Sequence, residues 1–349
     1  QNFTTLLYLP SQVPFDLLMG GRDERKGLKL YIKRVFIMDA AQELLPQYLR
    51  FVRGVVDSDD LPLNVSREIL QQNRVMSAIR TASVKKLLGE FAKISEQNPE
   101  LYTKFIEQYN RPLKEGLYSD YGNRDALLEL VRFKSSTEEG WTSLASYKER
   151  MPAEQKSIYY ITGGKEETLK ASPLLAAYRK RGLEVLIMSD DIDDLVVGSI
   201  GTYQEIPLKA INKSGAVDDL KEEGEKEEKA SKEEKALVKK IKKALGDRVK
   251  DVVASTRLTD APAVVVVDEN DPTVQMQQLL KAMGQADFEE AKPILEVNVD
   301  DPMVQKIAAS EDKEYTEDLS SVLLDQALLA EGVMIKDPVA FTKKLHNLL

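Results

Sequence analysis

Three side chains with chemistry to offer stand close together in Leu61-Pro62-Leu63-Asn64-Val65-Ser66-Arg67-Glu68-Ile69-Leu70-Gln71-Gln72-Asn73: the Asn64 amide, the Arg67 guanidinium and the Gln71 amide. A guanidinium presents a planar fork of donors suited to a phosphate or a carboxylate, and two flanking amides extend that cradle to a polyanion or a transition-state oxygen. Such chemistry needs a rigid mount. Pro62 removes an amide and biases Leu61 toward extended backbone, Ser66 is a candidate N-cap and Glu68 suits the positive end of a dipole, so a helix is expected to start near Arg67. Ile69, Met76, Ile79, Leu87 and Phe91 recur beyond it at helical spacing as a buried stripe, with Arg67 and Gln71, four apart, on another face. From the residues alone, the commoner role for such an arginine is a structural bridge, here to Asp57, Asp59 and Asp60 just ahead of the loop.

The remaining chemistry is sparse. Gly163-Gly164-Lys165 has the outline of a phosphate loop, but Glu166 stands where Ser or Thr is required and the upstream glycine is missing, so no nucleotide is expected there. Asp190, Asp191, Asp193 and Asp194 crowd the end of a strand-like run without the glycine and terminal glutamate of a calcium loop, and a solvated acidic loop is expected instead. With no Cys and a single His346, the chain offers no disulfide, no thiolate, no zinc set and no Ser/His/Asp triad, and no metal is expected. A net charge of −9 argues against a nucleic-acid binder. No apolar run approaches the roughly 20 residues of a membrane helix, so no membrane partner is expected.

The elements that must hold these groups follow from periodicity. At 349 residues two or three domains are expected. Phe3 to Leu9, Leu28 to Ile32 and Val35 to Met38 read as strands; Asn98-Pro99 caps a helix whose stripe is Leu101, Phe105 and Tyr109; Asn123 to Phe133 carries a short capped helix. Trp141 fits partly buried packing with Leu144, Tyr147 and Met151. Gln155 to Gly164 is a strand with a glycine turn, a helix runs from Ser172-Pro173 through Arg181 to Gly182, and Leu183 to Met188 is the second strand of a βαβ unit. Asp218 to Lys235 is a charged linker or solvated helix start, after which Leu237, Ile241 and Leu245 form a stripe ending at Gly246. Arg248 to Val253 and Ala263 to Val267 read as strands.

Two apolar surfaces look outward. In Pro272 to Met283, Met276, Leu279, Leu280 and Met283 line one side of a short helix opposite Gln275, Gln277, Gln278 and Lys281, either as core or as a surface that repacks around many partners. Glu317 to Glu331 and Pro338 to Leu348 form a helical hairpin; Leu319, Leu323, Leu324, Ala327 and Leu328, with Phe341, Leu345, Leu348 and Leu349, offer more apolar surface than a terminal hairpin hides alone. Pairing with a second copy is expected.

The wording of several segments is more specific. GVVDSDDLPLNVSREILQQN, preceded by LYIKRVFIMD and LLPQYLRFVRG, resembles the middle domain of the heat-shock protein 90 chaperone family, and SIYYITGG and GLEVLIMSDDID resemble its second, smaller layered unit. The resemblance implies an α/β (α+β) fold: two layered α/β/α units joined by helices, then a mixed α/β C-terminal domain ending in a dimerising helical hairpin. The corresponding boundaries are 1–132 for the large unit with the catalytic loop, 133–212 for connecting helices and the small unit, 213–236 for the linker and 237–349 for the C-terminal domain. It also implies that Arg67 reaches the terminal phosphate of ATP held with Mg by a separate N-terminal domain, and that Asn64 and Gln71 are its polar partners. Met276, Leu279, Leu280 and Met283 become client-binding residues together with Leu195, although Pro272 and Leu195 occupy places where bacterial relatives can carry larger client-facing side chains.

A chain that begins at Gln1 without a methionine reads as a fragment lacking that ATP-binding domain: inactive alone, an ATPase when intact, with no cofactor of its own. Its end at Leu349 without the acidic tail of cytosolic eukaryotic members, together with the plain form of the C-terminal domain, favours a bacterial member, and the resemblance implies a cytoplasmic homodimer whose partners are unfolded client proteins. The competing expectation is an ATP-independent holding protein with a structural Arg67; an enzyme built on the βαβ unit lacks both glycine fingerprint and nucleophile.

Overall fold

The computed structural model describes residues 2–13, 27–39, 41–63, 73–220, 231–274, 276–277, 280 and 291–348. Asn64, Arg67, Gln71, Leu279 and Met283 lie outside the described residues, as do Ile69 and Leu349. The chain has mixed α/β content and divides into two compact units: Gln1–Arg132 with Ser143–Ala145 and Gly198–Ile200, and Phe133–Thr142, Ser146–Val197 and Gly201–Leu349.

In the first unit, β1 (Phe3–Tyr8), β2 (Leu28–Ile32), β3 (Val35–Met38) and β4 (Arg53–Ser58) form one sheet in the order β1-β4-β2-β3. Alternation decides the faces: Leu28, Leu30 and Ile32 are buried while Lys29 between them is exposed. Lys33 and Arg34, at φ 49° and 66°, make the tight turn from β2 to β3, as a two-residue hairpin demands. Among the described residues the same unit holds the α-helices α1 (Arg74–Gln97), α2 (Pro99–Ser119) and α3 (Arg124–Leu130). Phe51, just ahead of β4, stacks on Tyr109 of α2 with ring centroids 4.3 Å apart, and Phe91 and Phe105 close the cluster.

Three local expectations need correcting here. Asn73 is extended (φ −81°, ψ 125°) and its side chain accepts the Val75 N–H, so the helix with Met76, Ile79, Leu87 and Phe91 starts at Arg74 and does not run unbroken from Arg67. An asparagine competes with the helix for backbone partners, and here it caps. Asn98 and Pro99 start α2 as expected, but Leu101 in its first turn is exposed. Asn123 leaves α3 without a side-chain cap, since its amide donates to Asp120.

The second unit opens on a five-stranded sheet of β5 (Lys134–Ser135), β6 (Ile158–Thr162), β7 (Val185–Met188), β8 (Thr202–Tyr203) and β9 (Ile206–Ala210), ordered β5-β7-β6-β9-β8 with β7, β6 and β9 parallel. Every residue of β6 and β7 is buried, as a sheet covered on both faces requires. The crossover holds two short helices, α5 (Glu166–Lys170) and α6 (Leu175–Lys180), rather than one from Ser172, and Gly182 at φ 66° ends it. α4 (Leu144–Arg150) follows a half-buried Trp141, whose ring lies under Lys134 Nζ at 4.1 Å. At α7 (Asp193–Ile200) the acidic run is not wholly solvated: Asp193 is fully buried and its carboxylate accepts the Asp190 N–H at 2.9 Å.

Beyond it, α8 (Lys232–Leu245) starts in a reciprocal capping box between Ser231 and Glu234 and ends at Gly246, with Leu237, Ile241 and Leu245 buried. A second sheet, β10 (Asp251–Ala254), β11 (Ala263–Val266) and β12 (Ile294–Val297), is ordered β10-β12-β11, so an unforeseen strand separates the two expected ones. α9 (Pro302–Ala309), α10 (Lys313–Ala330) and α11 (Pro338–Leu348) finish the chain. Both faces of β11 and β12 are covered. Val264, Val266 and Ile294 join Tyr159, Ile161 and Ile187, whereas Val265, Leu295 and Val297 join Leu237, Ile241 and Leu323.

Two helical glycines differ in their surroundings. A Cβ on Gly116 of α2 would meet Leu127 Cδ1 at 2.6 Å and the Tyr48 ring at 3.1 Å, whereas one on Gly89 of α1 meets nothing within 4 Å. Gly116→Ala is therefore expected to lower stability by about 1–3 kcal/mol. Gly89→Ala should raise it by roughly 0.5–1 kcal/mol through helix propensity, and urea midpoints of the two variants check the opposite signs.

Candidate functional site

The loop with Asn64, Arg67 and Gln71 lies outside the described residues, but its two anchors do not. On the entry side Leu61 is 1% exposed and pins the chain after β4. On the exit side Asn73 caps α1. The acids ahead of the loop already have backbone partners: Asp57 Oδ1 accepts the Arg34 N–H at 3.1 Å, and Asp60 Oδ2 accepts the Asn2 N–H at 2.8 Å. At Gly163-Gly164, a Cβ added to Gly164 would make ordinary contact with Leu169, 3.5 Å from its Cδ2. No three acids or histidines among the described residues are grouped to hold a metal ion.

The expected client surface is partly described. Thr273 is buried; its hydroxyl donates to Asp194 Oδ2 and accepts the Met276 N–H at 3.2 Å, which brings the turn before Met276 against α7. Gln277, expected on the outer polar side, is 4% exposed, and its Nε2 donates to Pro272 O at 2.9 Å. This reverses part of the predicted face, because the glutamine amide turns inward to satisfy a turn carbonyl. Met276 and Leu280 remain half-buried, and Leu195 beside Asp194 is 42% exposed.

At the hairpin the structure sorts the apolar residues differently from the sequence. Leu319, Leu323, Leu324 and Ala327 are all buried within the chain's own core, against α8 and the second sheet, so these four are not an outward stripe. Periodicity shows that a face is apolar without telling which neighbour covers it. Leu328 and Phe341 are half-buried, and the large apolar residues left exposed at this end are Leu329, Met334, Val339 and Leu345. A groove of about 710 Å³ runs beside α10 and α11, with Leu324, Leu328 and Phe341 among its apolar walls. Arg248 reaches across it to Asp325 and, at 2.7 Å, to Ser321 Oγ, to which Lys344 Nζ also donates at 2.9 Å.

One constellation had no counterpart in the sequence reading. Arg257 and Glu296 are an ion pair with side chains 0% and 4% exposed, Nη2 to Oε2 at 2.8 Å and Nε to Oε1 at 3.0 Å. Ser255 Oγ donates to Glu296 Oε1 at 2.7 Å, and Arg257 Nη1 donates to Ile211 O at 2.6 Å. The signal was a lone acid inside the apolar run Ile294-Leu295-Glu296-Val297, since a buried charge must find a partner.

Compared with known proteins, all of residues 1–349 match a family model described as Hsp90 protein. Similar curated relatives include Chaperone protein HtpG of Treponema denticola, 55% identical across 100% of this chain and 55% of that protein. HtpG of Treponema pallidum is 52% identical, and that of Wolinella succinogenes 49%, each over 100% of this chain. The chain thus spans about half the length of the curated relatives it matches: 55% to 56% of those three. No helix among the described residues is long and apolar enough to cross a membrane.

Removing one member of the buried pair strands the other. Glu296→Ala leaves a guanidinium enclosed without its counter-charge and is expected to cost about 3–5 kcal/mol, while an Arg257→Met, Glu296→Leu double variant should lose much less. Chemical denaturation of the two variants beside the parent decides it.

Proposed function

This chain belongs to the Hsp90 family, and from that premise we propose that it is the middle and C-terminal part of an ATP-dependent molecular chaperone of the HtpG type. The observation that carries the reading is the match itself: the family model covers residues 1–349. On this reading 1–132 is the unit with the catalytic loop, 133–212 the connecting helices and small layered unit, 213–236 a linker and 237–349 the dimerisation domain.

Arg67 is proposed to complete a nucleotide site across a domain boundary. ATP and Mg would be held by an N-terminal domain of the intact cytoplasmic protein, and the ATP terminal phosphate gathers negative charge as it passes to water. A fixed guanidinium offsets that charge, and Asn64 and Gln71 hold its position. The buried Leu61 and the helix-capping Asn73 give the chain two fixed points on either side of these residues, which favours the role.

Partly folded proteins are the proposed clients, met by Leu195, Met276 and Leu280 with Leu279 and Met283. The exposure of Leu195 and the incomplete cover of Met276 and Leu280 favour this, since flexible methionine and leucine surfaces repack around varied partners. A homodimer is proposed through the outer side of the hairpin: Leu328, Leu329, Val339, Phe341 and Leu345.

In the full-length protein Arg67→Ala should lower ATP turnover by about 10³-fold while sedimentation and circular dichroism stay unchanged. Unchanged turnover in a folded variant would favour an ATP-independent holding protein, and loss of fold would favour the structural bridge. For the hairpin, Val339→Arg with Leu345→Arg should convert a dimer to a monomer without lowering the melting temperature. Leu323→Ala, inside the core, should instead cost about 2–5 kcal/mol of stability. Analytical ultracentrifugation beside thermal melts separates the two outcomes.

A further inference from the structure

β11 is almost one residue repeated. Ala263-Val264-Val265-Val266 continues into Val267, and all of these side chains are buried. Against the central strand, Ala263 lies opposite Val297, Val264 opposite Glu296, Val265 opposite Leu295 and Val266 opposite Ile294. A strand with one wet face resists slipping, because a shift of one residue carries its apolar set into water. β11 has no such face: Val264 and Val266 enter one core, and Ala263 and Val265 enter the other. Moved by one, it would put Val264, Val265, Val266 and Val267 where Ala263, Val264, Val265 and Val266 stand. Burial scarcely separates the two alignments. Backbone bonds at the far end, from Val267 N–H to Asn212 O at 3.3 Å and from Ser214 N–H to Val267 O at 3.0 Å, do not separate them either. Every residue but proline offers the same amide and carbonyl.

What differs between the alignments is the surroundings of Glu296, the one charged residue of β11 and β12. It draws in Ser255 by its hydroxyl and Arg257 by its guanidinium fork, both from the loop between β10 and β11. Ser255 Oγ also accepts the N–H groups of Arg257 at 3.1 Å and Leu258 at 2.9 Å, which fixes the backbone beneath the fork. Leu258 is buried in the core that holds Tyr159 and Ile187. From there Thr259, Asp260, Ala261 and Pro262 lead to β11. Asn298 holds both ends of that stretch, its Nδ2 donating to Thr259 O at 3.4 Å and its N–H to Pro262 O at 2.8 Å. A slip of β11 drives a fifth residue into a stretch fastened at both ends.

We propose that Glu296, Arg257 and Ser255 are a register pin: they select the one alignment of β11 on β12 that the valines leave open. A buried ion pair adds little stability over apolar groups of similar volume, whereas separating its members is costly. It therefore acts on the choice between arrangements more than on the strength of either. Released from Glu296, the loop takes up the extra residue ahead of Leu258, and both alignments are populated.

Introduced cysteines report the alignment, since the chain has none of its own. Ala263→Cys faces Val297→Cys directly in the native register. Val264 and Val297 enter opposite cores, so a bridge between Val264→Cys and Val297→Cys forms only after a slip of one residue. Each pair is placed in the whole chain, with and without Arg257→Met and Glu296→Leu, and refolded under oxidising conditions, and the bridges are counted by mass spectrometry. Removing the ion pair should raise the bridge from position 264 by roughly tenfold or more and lower the bridge from position 263 in step. In the cysteine-free chain, the methyl signals of Val264 to Val267 should be single in the parent and doubled in the double variant. A folded double variant with single methyl signals and no rise in the slipped bridge would overturn the pin, because the valines and the loop would then set the register by themselves. So would an equally frequent slipped bridge with the ion pair present, or a double variant that no longer folds, since the pair would then carry stability and not alignment.

Discussion

A sheet of three four-residue strands, two of them (β11 and β12) buried on both faces, sets the terms for the C-terminal half of this chain. Strands that short have little ladder to offer, so they persist only because apolar groups cover them above and below. One face is covered by the core of the five-stranded sheet, the other by α8, α9 and α10. Glu296 is the one charge in the central strand, and its position on a covered face forces Arg257 inside with it. Arg257 in turn takes the Ile211 carbonyl, so the chain leaving β9 is tied to the second sheet through a polar contact at the centre of an apolar seam.

That arrangement decides what the hairpin has left to present. The inner side of α10 is committed to the sheet, and only its outer side and α11 remain for another surface. The turn before Met276 is governed likewise, with Thr273 and Gln277 facing inward and the methionine left half-covered. Apolar groups near the surface here are what remains after the sheet's requirements are met. A chaperone needs surface of that kind, able to meet many sequences without collapsing into its own core.

Much of the local architecture was readable from residues. Leu28 to Ile32 read as a strand and is β2, Asn98-Pro99 marked the start of α2, and the stripe Leu237, Ile241, Leu245 stopped where Gly246 stops α8. Failures came where one signal has two physical meanings. Asn73 sits in a helical pattern yet caps, Asp193 belongs to an acidic run yet is buried, and Leu319 to Ala327 form a stripe that says nothing about whether its cover is internal or a second copy. β12 was missed because Glu296 breaks its apolar run, and its partner, Arg257, is distant in sequence. The candidate catalytic residues were singled out by side-chain chemistry and family wording, and neither supplies geometry.

The strand order β10-β12-β11 also bears on how the chain comes to be made. β10 and β11 emerge from the ribosome first, yet neither pairs with the other; both wait for β12. The segment between Val266 and Ile294 takes roughly 1 to 5 seconds to translate, and throughout it the valines of β11 have no ladder to join. A nascent chain halted in that interval displays an unpaired apolar strand, the kind of surface that seeds aggregation. A member of a chaperone family thus passes, during its own synthesis, through the condition of the chains such proteins attend.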